Sequence, residues 1–332
     1  MQGDFVFLEF TMSIVCTGSV AYDYLMKFPG YFKDHILPDN LETLSLSFLV
    51  ESMTKVRGGI APNIAYTLAL LGSEKPIVFA TVGEDFEDYR IWLENHKVET
   101  KYIKQIDGVF TASFFANTDK ANSQIASFYP GAMTYAREYS LKELKFSPEL
   151  VVISPNDPIA MNRYVDECAQ LKIPYLFDPS QQIVRMSSEE IRNGVEGAYS
   201  LFVNEYEYQL LQKYTGLNQD EITKIVKFLV VTLGNKGAMI YADDHEFEVP
   251  AFPVEHIVDP TGVGDAFRGG FLRGYQENFS WELCGKIGSL SAAYCLEQNG
   301  TQSHHYSVEE FVRRFRMHYD DNGELDQLLN KN

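Results

Sequence analysis

The run Asp259-Pro260-Thr261-Gly262-Val263-Gly264-Asp265 sets two glycines and a carboxylate directly before Ala266-Phe267-Arg268-Gly269-Gly270-Phe271, which reads as a helix start. Glycines carry no Cβ, so the backbone N–H groups of Gly262, Val263 and Gly264 can converge on one point, and a helix N-terminus adds partial positive charge there. Such an anion hole suits a phosphoryl group that gains negative charge as it is transferred. Asp265 stands at the same point, where a bound anion repels it. Taking the proton from an attacking hydroxyl gives that position a purpose. Read locally, the rival is that Asp265 N-caps the helix and the glycines make a turn. Arg268 suits either a phosphate or a neighbouring carboxylate. No Gly-Lys-Ser/Thr occurs, which excludes a P-loop.

Three further sites have both a chemical and a plainer reading. Asn204 and Glu207 lie at i and i+3 on a helix start, where they share a face or close a capping box. Thr232-Leu233-Gly234-Asn235-Lys236-Gly237 follows a strand as a nucleotide loop or an ordinary hairpin turn. Asp23 follows the first strand, and a carboxylate there can accept the protons of two vicinal hydroxyls or sit in a solvated turn. Phe114, Phe115, Phe128 and Tyr129 supply flat apolar walls for a nucleobase, or the core of their own strands.

The elements that must position these groups alternate. Apolar runs at 13–18, 76–82, 150–153, 174–177, 201–203 and 228–232 read as strands. Helical patterns occupy 63–71, 86–96, 157–171, 187–193, 206–214, a long region 264–297, and 307–318, with hairpins over 111–129 and 238–250. The alternation predicts an α/β fold: a doubly wound, mostly parallel sheet with helices on both faces and ligands outside the carboxyl ends of the strands. Residues 24–57 and 108–131 interrupt it and are expected to form a small β-sheet lid on a single domain spanning 1–332. Residues 1–11 read as an N-terminal extension, with Met1 or Met12 as the start. The chain has 332 residues and a formal net charge of −18, which disfavours nucleic-acid partners. No apolar run is long enough for a membrane span, and four cysteines without C-x-x-C spacing read as reduced thiols of a cytoplasmic protein.

Taken together, the Asp259–Asp265 string, Arg57-Gly58-Gly59-Ile60-Ala61-Pro62-Asn63, Asn204-Glu205-Tyr206-Glu207 and Thr232–Gly237 resemble, in order, the signatures of the PfkB (ribokinase-like) family of sugar and nucleoside kinases. Thr17-Gly18-Ser19 with Asp23, Ser45–Val50, Gln124–Met133 and Phe177-Asp178-Pro179-Ser180-Gln181-Gln182 are similar to bacterial adenosine kinases in particular. The resemblance implies a ribokinase-like fold and transfer of the ATP γ-phosphoryl group to the 5′-hydroxyl of adenosine, giving AMP in purine salvage. A broader nucleoside kinase, a ribose- or fructose-type sugar kinase and a non-catalytic nucleoside sensor are the alternatives.

It implies Asp265 as base and Gly262, Val263 and Gly264 as anion hole. Ser19, Asp23, Gly59 and Asn63 then hold the ribose, Phe114 and Phe128 sandwich the base, and Gln181 or Gln182 lies near it. Asn204, Thr232, Gly234 and Gly237 serve ATP, and Glu207 holds Mg²⁺ through water. A monovalent cation (K⁺) near Asp259 and Thr261 and a homodimer through the lid also follow from the family. Pro62 departs from the small residue expected there, and Asp178 is expected to be structural.

Overall fold

The computed structural model describes residues 13–35 and 46–330. The expected extension over 1–11, the choice of start, Ser45 and the 36–45 part of the lid lie outside the described residues. Strands are numbered along the chain: β1 (Ile14–Thr17), β2 (Ala21–Lys27), β3 (Ser52–Gly58), β4 (Ile77–Val82), β5 (Ile103–Gln105), β6 (Ala112–Thr118), β7 (Gln124–Tyr129), β8 (Leu150–Ile153), β9 (Tyr175–Phe177), β10 (Ser200–Asn204), β11 (Phe228–Thr232), β12 (Ala238–Ala242) and β13 (His245–Val249). The helices are α1 (Ile60–Leu70), α2 (Glu87–Asn95), α3 (Pro158–Leu171), α4 (Ser188–Glu196), α5 (Glu205–Thr215), α6 (Gln219–Ile225), α7 (Val263–Gln276), α8 (Trp281–Leu296), α9 (Val308–Phe315) and α10 (Asp326–Leu329).

Among these, nine strands form one sheet in the order β13-β12-β11-β10-β9-β8-β1-β4-β5, and four form a second, β3-β2-β6-β7. Strands from β11 to β5 run parallel, and β12 and β13 extend the edge as an antiparallel hairpin. The large sheet is buried on both faces, as parallel sheets require. Alternate residues face opposite ways: Cys16, Val78, Val152 and Phe202 pack under α1, α2, α7, α8 and α9, while Val15, Phe79, Val151 and Val203 pack under α3 to α6. The four cysteines are free and buried.

The strands of the expected lid segment 24–57 are β2 and β3, which begin at Ala21 and end at Gly58 and pair antiparallel. Two other expectations shift. The helical region 264–297 is two helices: Asn278 turns left-handed at φ 58°, and the Ser280 hydroxyl accepts the Leu283 N–H to start α8. Helix α1 begins at Ile60, not Asn63, so Pro62 sits in its first turn, where a missing N–H leaves no bond unmade.

Helices α1 and α7 approach closely enough to exclude a side chain. A Cβ on Gly269 would lie 2.6 Å from Thr67 Cβ and 2.9 Å from the Ile64 carbonyl oxygen. That contact sets the distance between the two helix N-termini. Gly269→Ala should therefore destabilise the fold by about 1–3 kcal/mol. In urea titration its midpoint should fall with the slope unchanged; an unaltered midpoint rules out the close-approach argument.

Candidate active site

Helix α7 begins at Gly262, whose φ of +76° belongs to the left-handed region and whose Cβ would lie 2.7 Å from Thr301 Cγ2. As at any helix start, the first N–H groups have no intrahelical acceptor. Asp265 is the third residue of α7, buried, and does not cap the helix. Its Oδ2 accepts from Asn63 Nδ2 at 2.8 Å. The opposite end of the Asn63 amide is held by Thr301 Oγ1 and Gln302 Nε2, each 2.9 Å from Oδ1. Gln302 Nε2 can only donate, so the amide cannot flip and its N–H₂ must face Asp265. Gln302 also meets Tyr89 Oη and accepts from Trp92 Nε1 at 3.1 Å. Burial pushes the Asp265 carboxyl up to about 6, while the Arg268 charge and the Asn63 hydrogen bond pull it down.

Arg268 meets a carboxylate. Its Nη2 donates to Asp178 Oδ1 at 2.8 Å, and its Nε lies 2.7 Å from Asp178 Oδ2. Asp178 directly follows β9 and is fully buried; burial pushes its carboxyl up and Arg268 opposes that. Glu207 contributes its charge to both members of the pair.

The small sheet aligns a row across three strands. Asp23 on β2 pairs with Phe114 on β6, which pairs with Phe128 on β7, so the three side chains share one face. Phe114 is half-buried and Phe128 is 45% exposed, so neither is core of its own sheet. Burial and then the Asp259 charge push the Asp23 carboxyl up to about 6. Asp23 Oδ2 lies 3.0 Å from where a Gly58 Cβ would be. Gly59, at φ +99°, passes so close to Ser19-Val20 that a Cβ would lie 2.6 Å from Val20 Cα. Ser19 Oγ accepts the Ile60 N–H at 3.4 Å. The charges of Asp23 and Asp265 both reach Tyr89, which joins the two halves of the site. Of the two glutamines, Gln181 is exposed, while Gln182 is buried and donates to the Asn156 carbonyl at 2.7 Å, leaving its Oε1 without a partner.

On the other side of the α7 N-terminus lies a cavity of about 570 Å³. Thr232, Gly234 and Gly237 line it together with Val263 and Gly264, against an apolar wall of Val254, Ile257, Ala292 and Leu296. The loop is also a hairpin turn, with Leu233 N–H bonded to the Gly237 carbonyl at 2.7 Å. Asn204 and Glu207 form the reciprocal capping box on α5, each bond 2.8 Å. Among the described residues no group of three or more His, Cys, Asp or Glu side chains is arranged to hold a metal, and no helix is long and apolar enough to cross a membrane. Asp259 uses both carboxylate oxygens on backbone N–H groups, Thr261 at 2.9 Å and Gly300 at 3.0 Å. Thr301 and Gln302, which orient Asn63, belong to no motif. The only cue was their position in the loop after the last strongly apolar helix.

A model described as pfkB family carbohydrate kinase matches residues 13–306. The ligand-free structure of a Burkholderia thailandensis nucleoside kinase superposes with a TM-score of 0.84 at 36% identity, covering 91% of this chain and all (100%) of that one. The same protein in complex with ADP-inosine superposes with a TM-score of 0.80 at 35% identity, covering 92% and 96%. A nucleoside kinase of Methanocaldococcus jannaschii is 30% identical over 310 residues, 92% of this chain and 97% of the relative.

The raised carboxyl of Asp265 has a consequence for stability. Its folded value lies above the unfolded one, so the ionised group disfavours the fold: the penalty is absent below about pH 4 and complete above about pH 6. Asp265→Asn removes it and should be more stable than the parent at pH 8, on the order of 3 kcal/mol. Thermal unfolding across pH should show the gap closing below about pH 4; a variant less stable than the parent at pH 8 contradicts the burial argument.

Proposed function

The chain belongs to the pfkB family of carbohydrate kinases, and on that premise we propose that it transfers the γ-phosphoryl group of ATP to the 5′-hydroxyl of a nucleoside, adenosine foremost, yielding AMP in purine salvage. The observation that carries this reading is Asp265. It is a buried carboxylate oriented by Asn63, with a nucleotide-sized cavity on one side of its helix terminus and the Asp23–Phe114–Phe128 row on the other.

In this reading Asp23 and Ser19 hold the ribose hydroxyls, beside the Gly59 turn and Asn63. Phe114 and Phe128 take the base between their rings, and the free Oε1 of Gln182, rather than Gln181, faces it. ATP lies in the cavity with its phosphates at Thr232, Gly234 and Gly237. Asp265 removes the 5′-hydroxyl proton, the oxygen bonds to the γ-phosphorus, and ADP leaves with the electrons of the broken P–O bond. The N–H groups at Gly262, Val263 and Gly264 stabilise the charge on the moving group.

Mg²⁺, when bound, would neutralise charge that develops on the phosphates. Glu207 would meet it through water, with Asn204 beside it. A monovalent cation near Asp259 and Thr261 belongs to the same proposal. The small sheet serves as a lid that excludes water. Its outer face exposes Met53, Phe115, Ile125 and Tyr129, which supports a homodimer through that sheet. Four reduced thiols suit a cytoplasmic setting.

A second reading, a broader nucleoside range, is favoured by the Burkholderia relative, whose structure holds inosine. An ATP-consumption assay across adenosine, guanosine, inosine, cytidine and ribose tells them apart. Adenosine is expected to turn over fastest; equal rates on inosine support the broader range, and activity on ribose alone sinks both. Asp265→Asn should bind adenosine yet lose about 10²–10⁴-fold in kcat. Phe114→Ala should raise KM roughly tenfold, with less effect on kcat.

A further inference from the structure

Asp178 was expected to be structural, but its geometry gives it more to do. It is fully buried; its Oδ1 accepts a hydrogen bond from Arg268 Nη2 at 2.8 Å, and its Oδ2 lies 2.7 Å from Nε as an ion-pair contact. The third nitrogen, Nη1, is turned elsewhere. It stands 3.7 Å from Asp265 Oδ1, beyond hydrogen-bonding range, and 2.9 Å from where a Cβ on Gly264 would lie. Arg268 therefore hangs over the glycine hole beside the base without bonding to the base. Asp265 and Arg268 are one helical turn apart, so nothing local prevents a direct pair between them. What prevents it is the grip of Asp178 from another element.

We propose that Asp178 is a positioning residue for phosphoryl transfer: it clamps Arg268 so that Nη1 is presented to the moving phosphoryl group, and it keeps this cation from collapsing onto Asp265. The proposal rests on the kinase reading above and adds to it the setting of the base. Three buried carboxylates, Asp178, Asp265 and Glu207, surround one guanidinium. Asp178, hydrogen-bonded to Arg268, holds its guanidinium short of hydrogen-bonding distance from Asp265, with which it keeps only a looser ion-pair contact at 3.7 Å. Released from Asp178, the guanidinium finds Asp265 as the adjacent anion. A carboxylate in a direct ion pair is a weaker base by 1–3 units, about ten- to a thousandfold in proton affinity. The other groups coupled to Asp265 are Asn63 on α1, Tyr89 on α2 and Cys295 on α8, and behind them Asp23 and Asp259 act on Tyr89 and Cys295 respectively. All of them stay unchanged in the variants below.

The experiment compares the pH profiles of kcat/KM for the parent, Asp178→Asn, Arg268→Gln and the double variant. Calorimetric adenosine affinity, measured without ATP, provides the control. Asp178→Asn should lower kcat about tenfold or more and move the acid limb down by about 1 unit. Arg268→Gln should move the acid limb up, because the cation that lowers Asp265 is gone. The double variant should follow Arg268→Gln, since Asp178 acts through Arg268. Adenosine affinity should stay within about threefold throughout, a split between binding and turnover that a merely structural ion pair does not produce.

Acid limbs that coincide in all variants of an active enzyme overturn the clamp alone. So does a downward shift that persists in the double variant. If Asp178→Asn does not fold, Arg268→Gln decides by itself, and an unmoved or lowered limb overturns the proposal. A parent enzyme inert toward every nucleoside overturns the kinase reading and the clamp's role with it.

Discussion

One hydrogen bond governs the arrangement of the site: Asn63 Nδ2 to Asp265 Oδ2, between residues 202 positions apart. It is made possible by glycine on α7 and small side chains on α1, which bring two helix N-termini into contact. It is made directional by Gln302, whose amide can only offer protons to Asn63 Oδ1. A buried polar network of this kind is rigid when every member is satisfied and costly when one is not. The carboxylate at its centre is thus fixed in orientation and kept basic by desolvation, with Arg268 close enough to matter and too far to bond.

Much of this was legible in the sequence because much of it is local. The glycines of Gly262-Val263-Gly264 announce a backbone that must curl, and the curl is there. Asn204 and Glu207 announce a capping box, and the box is there. Strands of the large sheet are short apolar runs closed by turn residues, which the two-sided burial of a parallel sheet enforces. By contrast, only a β-sheet lid was expected over 24–57, and the bounds of β2 and β3 escaped notice because a half-exposed sheet mixes Lys, Arg, Thr and Tyr with apolar residues. Thr301, Gln302 and the Asp178–Arg268 pair escaped for a different reason. Their meaning lies in what they face across the fold, and a single sequence carries no record of that. Of the two adjacent glutamines, only the fold distinguishes Gln182, turned inward, from Gln181.

The small sheet shows how a row of side chains can be assembled by register. Asp23, Phe114 and Phe128 come from three strands and share no local pattern, yet pairing puts them in one line. A one-residue slip in either pair would turn a member of the line to the opposite face. Tyr24 stacked on Phe115, with ring centroids 4.9 Å apart and planes 9° apart, holds the β2–β6 register from the reverse side.

The loop at 300–302 also bears on how the molecule comes into being. Thr301 and Gln302 reach back to Asn63 and Arg57, contacts that span 238 to 244 residues. Contacts of such sequence separation form late, because the entropy of closing a long chain must be overcome first. During synthesis the sheet strands can accumulate from the amino terminus, but the carboxylate centre has no oriented amide until the segment past α8 has emerged. Chains released before residue 302 would hold folded layers and an unoriented Asp265 carboxylate. The order of the site's central carboxylate is consequently acquired late in folding.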